Sequence, residues 1–233
     1  MKNLFNQDFK DLINLFNEHE VEYILVGGYA VILHGYSLTT GDIDLWLKRT
    51  KENYKKFFRA SNKFGLPLSI IDADTFVNDT TIDVFSFGRP PSGLNLRVEL
   101  TGLNFEDVYD QCEITRVDDL DVRLIDLDNL KAAKSATGRR VDLVDLTHLE
   151  QEHLNTSQSE YLITDIEKFD KTAFAKKSFK EADNHRAYWM SRTPTERVVA
   201  AYRLSLRAHG IDPDGPHPKI DLTIFSTRKH QVR

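Results

Sequence analysis

Residues Tyr23–Leu47 have the sequence YILVGGYAVILHGYSLTTGDIDLWL, in which two short apolar runs flank a glycine-containing segment. The first run, Tyr23–Val26, is rich in β-forming residues and predicts a buried strand. Gly27 and Gly28 follow directly, and because glycine takes backbone angles that other residues avoid, a ligand can approach the main chain there. The apolar residues that follow predict a short helix ending at Gly35, and free N–H groups at a helix start suit phosphate.

The second apolar run, Asp42–Leu47, predicts a strand that carries two carboxylates on one face. Asp42 and Asp44 are two residues apart, and alternate side chains of a strand point to the same side. Because aspartate is depleted in strands, the pair calls for an explanation. One interpretation is a solvated strand face. The other is that two carboxylates facing a phosphate-binding turn form a magnesium–nucleotide site.

Composition limits the classes of protein that fit the chain. Its 233 residues allow one large domain or two small ones, and a hydrophobic content of 40% supports a buried core. A net charge of −5 does not indicate a general nucleic-acid binder. Cys112 is the single cysteine, which excludes an internal disulfide and a cysteine metal cluster. No run reaches the roughly 18 apolar residues of a membrane helix, so we expect a soluble cytoplasmic protein without a membrane partner.

Hydrophobic periodicity predicts an α/β chain, with a small mixed sheet flanked by helices. The helix beginning after Thr50 has that residue as a plausible N-cap and Gly65 as its stop. Residues 66–74 are expected to form a loop or a short strand. The remaining predicted helices cover 5–18, 105–109, 126–137 and about 142–153, and the remaining predicted strands cover 80–87, 94–100 and 122–124.

The order of a hydrophobic run, Gly-Gly, a short gap and Asp-x-Asp resembles the signature of the DNA polymerase β-type nucleotidyltransferase superfamily. Together with FGRPPSGLNL, GLNFEDVY and LIDLDNLKAAKSATGRRVDLVDLTHLE, it resembles a bacterial nucleotidyltransferase-like group, many of whose members are classed with abortive-infection or toxin–antitoxin nucleotidyltransferases. The resemblance covers about residues 5–152. It implies the nucleotidyltransferase fold and transfer of a nucleoside monophosphate from a nucleoside triphosphate to a hydroxyl, with one or two Mg²⁺ ions. The acceptor stays open between tRNA, a protein and a small molecule.

The resemblance also assigns roles to individual residues. Lys134 lies four residues before a Gly-Arg step, where the group has a lysine near the triphosphate; an exposed helix lysine is the simpler alternative. Because two carboxylates would repel the phosphates, nucleotide binding is expected only with a divalent metal. The implied metal ligands are Asp42 and Asp44, and the implied nucleotide contacts are Gly27, Gly28, Thr40 and Lys134.

The chain departs from the family pattern at the third carboxylate. In the group this catalytic residue lies on the strand after the Pro-Pro turn, where it helps to activate the attacking hydroxyl, and counting without a gap places it at Asn95. An amide can coordinate metal weakly but cannot take a proton. Glu99 and Asp83 are the candidates for a substitute carboxylate. Two functions therefore stay open: a weakened nucleotidyltransferase, or a non-catalytic nucleotide-binding or fused toxin–antitoxin regulatory protein.

After Glu150 the composition changes, which divides the chain into a domain at 1–152, a polar linker at 153–178 and a mainly helical segment at 179–233. Thr193, Pro194 and Glu196 form a helix-start pattern with an N-cap and a capping box. The segment is similar to short bacterial proteins encoded beside nucleotidyltransferases of this group, which implies a fused companion. Because about 50 residues make a poor independent core, we expect it to dock on the domain, in cis or within a homodimer.

Overall fold

The computed structural model describes residues 6–36, 38, 40–117, 119–137 and 189–229. These residues form a mixed seven-stranded sheet in the order β5-β6-β1-β2-β4-β3-β7. The β1–β6 and β2–β4 pairs are parallel and the other pairs antiparallel. The predicted mixed sheet with flanking helices is confirmed. The elements are α1 (Gln7–Glu18), β1 (Tyr23–Val26), α2 (Gly27–Leu33), β2 (Asp42–Leu47), α3 (Lys51–Phe64), α4 (Ala73–Asn78), β3 (Ile82–Phe87), β4 (Gly93–Arg97), α5 (Phe105–Tyr109), β5 (Glu113–Val117), β6 (Leu120–Leu124), α6 (Leu127–Thr137), α7 (Pro194–Ala208) and β7 (Phe225–Lys229).

One face of the sheet carries the main core. On β2, alternation sends Ile43, Leu45 and Leu47 to this face, where all three are buried. Ile43 lines a small apolar space together with Leu33 of α2 and Val198 of α7, so both helices cover this face. The opposite face of β2 carries the two aspartates and Trp46. The ring of Trp46 meets that of Phe105 on α5 at a centroid distance of 5.1 Å.

The predicted elements around the glycine pair agree closely with the structure. Strands β1 and β2 and helix α5 have the predicted bounds, and Thr50 caps α3 by accepting the N–H of Asn53. Gly65 ends that helix with a φ of 92°. Residues 66–74 differ from the prediction, because they form a 3-10 turn and the start of α4, where Asp72 caps the helix by accepting the N–H of Thr75. Strands β5 and β7 were not predicted.

The C-terminal part of the chain is built into the sheet. Strand β7 pairs antiparallel with β3, and α7 packs on α2. In the segment that joins α7 to β7, the N–H of Ile220 donates to Asp8 at 2.6 Å, and the carbonyl of Pro218 accepts from the hydroxyl of Ser92 at 2.9 Å. The predicted helix at 142–153 and the predicted linker at 153–178 lie outside the described residues. None of the helices described has the length and apolarity to cross a membrane.

Candidate functional site

The pairing of β2 with β4 brings the predicted site residues together. Asp44 lies directly opposite Asn95, and Asp42 lies directly opposite Gly93. The amide Nδ2 of Asn95 is 3.3 Å from Oδ1 of Asp44. The chain therefore carries an amide beside Asp44, at the position where the family pattern leads one to expect a carboxylate.

Arg97 lies on the same strand face as Asn95, two residues further along β4. Its Nε and Nη2 atoms are 3.0 and 2.9 Å from Oδ1 of Asp44. The side chains of Arg97 and Asp44 are only 13% and 10% exposed, so the ion pair is largely removed from water. Arg97 is not among the site residues that the sequence predicts. The available signal was alternation, which puts Arg97 on the polar side of β4 with Asn95.

The orientation of the Asn95 amide is set from the next strand. The hydroxyl of Ser86 on β3 donates to Oδ1 of Asn95 at 2.7 Å, which leaves the amide N–H₂ to face Asp44. Ser86 and Asn95 are directly paired across the strands. A row of polar side chains thus crosses β3, β4 and β2 and ends at Asp44, whose carboxylate faces the donors of Asn95 and Arg97.

The surroundings of Asp42 disfavour the charged form of its carboxyl group. A Cβ placed on Gly93 would be 2.1 Å from Oδ1 of Asp42, so glycine is required for this carboxylate to lie over β4. That oxygen is buried and receives no hydrogen bond of normal geometry from the described residues. Burial, followed by the negative charge of Asp44, raises the pKa of Asp42 above its ordinary value. The nearby amide of Asn95 and, after it, the charge of His209 at the end of α7 oppose part of this shift in the pKa. His209 is not among the residues that the sequence predicts near the site.

Because Gly27 and Gly28 have no side chains, the residues on and just before β2 can lie close to the first turn of α2. Gly27 has a φ of +70°, and a Cβ there would be 2.4 Å from Oδ2 of Asp44. A Cβ on Gly28 would be 2.7 Å from Oγ1 of Thr40. The Thr40 hydroxyl also donates to the main-chain carbonyl of Asp42 at 3.3 Å. The space that the absent side chains leave is therefore taken by Asp44 and Thr40, and contact with a nucleotide at these glycines stays a prediction.

Three further candidates have different surroundings. Lys134 lies in the last turn of α6, which packs on α2, and its side chain is buried, unlike that of an ordinary surface lysine. Asp83 forms an ion pair with Arg228 of β7 at 3.0 Å. Glu99 lies 3.9 Å from the guanidinium of Arg49. Asp83 and Glu99 thus have arginine partners of their own, while the contact of Lys134 with phosphate stays a prediction.

This arrangement does not fit a site for two metal ions. Among the residues described, no group of three or more histidine, cysteine, aspartate or glutamate side chains is placed to hold a metal. Oδ1 of Asp44 is taken by the guanidinium of Arg97, and its Oδ2 lies against Gly27. Oδ1 of Asn95 accepts from Ser86. The expected Mg²⁺ ions would have to displace these contacts or bind through Asp42 without them.

No family model matches the chain, and no curated protein matches it. Among solved structures, the chain is similar to the crystal structure of the lincosamide antibiotic adenylyltransferase LnuA in its lincomycin-bound form. The two are 17% identical, and the overlap covers 62% of this chain and 95% of that one with a TM-score of 0.40. An overlap this low does not transfer the activity of that enzyme to this chain.

Proposed function

We propose that this chain is a nucleotide-binding protein with a nucleotidyltransferase-type site in which transfer is weakened or lost. The observation that carries the proposal is the register of β2 with β4, which pairs Asp44 with Asn95. At the position of the third carboxylate, an amide cannot accept the proton of an attacking hydroxyl. General-base catalysis contributes about 10²- to 10⁴-fold to a rate, so its loss weakens transfer without abolishing nucleotide binding.

Nucleotide binding is supported by the glycine pair and by the charges around it. The main chain at Gly27 and Gly28 begins α2 directly beside the strand that bears the aspartates. Lys134, on the neighbouring α6, would serve a triphosphate as a point charge. Arg97 neutralises Asp44 within the chain, which reduces the repulsion that two ionised aspartates would exert on phosphate.

A second candidate is the metal-dependent transfer of a nucleoside monophosphate to tRNA, a protein or a small molecule. The buried Oδ1 of Asp42 favours it, because this oxygen receives no hydrogen bond of normal geometry from the described residues. An incompletely satisfied acceptor costs free energy that a bound cation would recover. A fused toxin–antitoxin unit is the third possibility. It requires the C-terminal segment to separate from the domain, whereas β7 is hydrogen-bonded into the sheet.

Calorimetry on the full chain with each of the four nucleoside triphosphates, in Mg²⁺ and in EDTA, tests the binding part. We expect binding of at least one triphosphate, and absence of binding in both conditions would refute the proposal.

Pyrophosphate release with candidate acceptors tests the transfer part. We expect little release by the wild type and more by Asn95→Asp, with the exposed Asn62→Asp on α3 as the matched control. Rapid wild-type release that Asn95→Asp leaves unchanged would favour the second candidate.

A further inference from the structure

The ion pair of Asp44 and Arg97 differs from an ordinary one because several donors contact the same carboxylate oxygen, Oδ1 of Asp44. Two guanidinium nitrogens lie 3.0 and 2.9 Å from Oδ1 of Asp44, and the amide of Asn95 lies 3.3 Å from the same atom. Three donors therefore converge on the oxygen that would otherwise face a cation. A carboxylate oxygen surrounded in this way has little capacity left for a metal bond.

The other oxygen of Asp44, Oδ2, lies beside Gly27. A Cβ built on Gly27 would be 2.4 Å from Oδ2, so this oxygen occupies the space next to the start of α2. Gly27 has a φ of +70°, a conformation that favours glycine. Asp44 as a residue is only 7% exposed, so little of its carboxylate faces solvent.

The position of Arg97 is fixed by the strands that bear it. Arg97 and Asn95 are on one face of β4, and pairing with β2 puts this face beside Asp44. Ser86 of β3 holds the Asn95 amide from the other side. An ion pair that is largely desolvated is costly to break by removing one partner, so a metal ion would have to displace the guanidinium and take over its charge at Asp44.

We propose that Arg97 takes the place of a divalent cation at Asp44 and excludes metal from that carboxylate. The inference rests on the proposed nucleotidyltransferase-type site and adds the residue that determines which cation the site accepts. With Arg97 present, the positive charge beside the two aspartates comes from the protein itself. A nucleotide then meets a guanidinium in place of one metal ion, and its binding persists in EDTA.

The test measures binding of Mn²⁺ alone to the full chain, by electron paramagnetic resonance of the free ion. No nucleotide is present, so the result does not depend on whether the chain binds nucleotides or transfers them. We expect Arg97→Met to bind Mn²⁺ at least about tenfold more tightly than the wild type, because a full positive charge within about 4 Å of the carboxylate is removed. Adding Asp44→Asn to that variant should reverse the gain.

Two further variants make the outcome decisive. Arg116→Met breaks an arginine–aspartate pair with Asp121 in which both side chains are about 60% exposed, and it should gain no Mn²⁺ binding. If Arg97→Met fails to fold, Arg97→Gln keeps a hydrogen-bond donor for Asp44 while removing the charge, and the same gain is expected. Wild-type protein that binds two Mn²⁺ ions tightly, or folded Arg97 variants with unchanged Mn²⁺ affinity, would overturn the proposal.

Discussion

The ring of Phe225 on β7 packs against the ring of Phe87 on β3, with the two centroids 5.1 Å apart. This contact lies where the C-terminal strand enters the sheet. Val198, Ala201 and Ile220 of the same C-terminal part belong to the main hydrophobic core. The geometry therefore supports a C-terminal segment that completes the fold, and it disfavours one that docks reversibly as a regulator.

Truncation after Glu150 tests these two alternatives. The shortened chain lacks α7 and β7, and it exposes the edge of β3 and the apolar surface that these elements cover. We expect it to aggregate or to lose its cooperative thermal transition, measured by circular dichroism and size-exclusion chromatography. A truncated chain that stays folded and binds nucleotide more tightly, with reversal by an added peptide of residues 179–233, would instead establish regulation.

Phe225→Ala probes the junction of β7 with the sheet by a single side chain. The ring is partly buried against Phe87, so its removal should lower the free energy of unfolding by about 2 kcal/mol. Phe58→Ala is the matched control, because this ring lies on α3 and is 42% exposed. Urea denaturation measures both values. Equal small effects for the two variants would mean that β7 contributes little to the stability of the sheet.

The elements that could be predicted are those whose own residues and immediate neighbours determine them. Strand β2 could be found because its β-forming apolar residues are interrupted only by Asp42 and Asp44. Counting from the Pro-Pro turn assigned Asn95 to the third-carboxylate position, and the register of β4 with β2 then pairs Asn95 with Asp44. Strand β7 could not be found, because Phe225 is its single apolar residue and the strand depends on pairing with β3. The contact of Arg97 with Asp44 required the register between two strands, which alternation along one of them does not give.

Gly27→Ala measures how closely α2 approaches Asp44. The matched control is Gly65→Ala, since both glycines have positive φ values, of 70° and 92°, but a Cβ on Gly65 would meet no atom within 4 Å. The left-handed conformation costs about 1–2 kcal/mol for a non-glycine residue at either position. The clash with Asp44 should add at least about 1 kcal/mol at Gly27. Equal losses in urea denaturation would show that the carboxylate moves aside freely.

His34 predicts a pH dependence of stability. Its Nε2 lies 2.7 Å from the carbonyl of Ile125, and burial lowers the pKa of the imidazole below its ordinary value. Between that lowered pKa and the unfolded value of about 6.5, the unfolded chain binds more protons. The free energy of unfolding should therefore fall as the pH is lowered through this range. Urea denaturation between pH 5 and pH 8 should show a smaller pH slope for His34→Gln; an unchanged slope would contradict the prediction.

The coupling between Asp44 and Arg97 can be measured by a double-mutant cycle on stability. Arg97→Met leaves Asp44 buried without its charge partner and should lower the free energy of unfolding by about 3 kcal/mol. Adding Asp44→Asn removes the uncompensated charge, so the double variant should be more stable than Arg97→Met alone. The same cycle on the exposed Arg116 and Asp121 should give a coupling energy of about 0–1 kcal/mol. Additive effects for Asp44 and Arg97 in urea denaturation would show that the two side chains do not stabilise one another, and the guanidinium would then be no effective barrier to a metal ion.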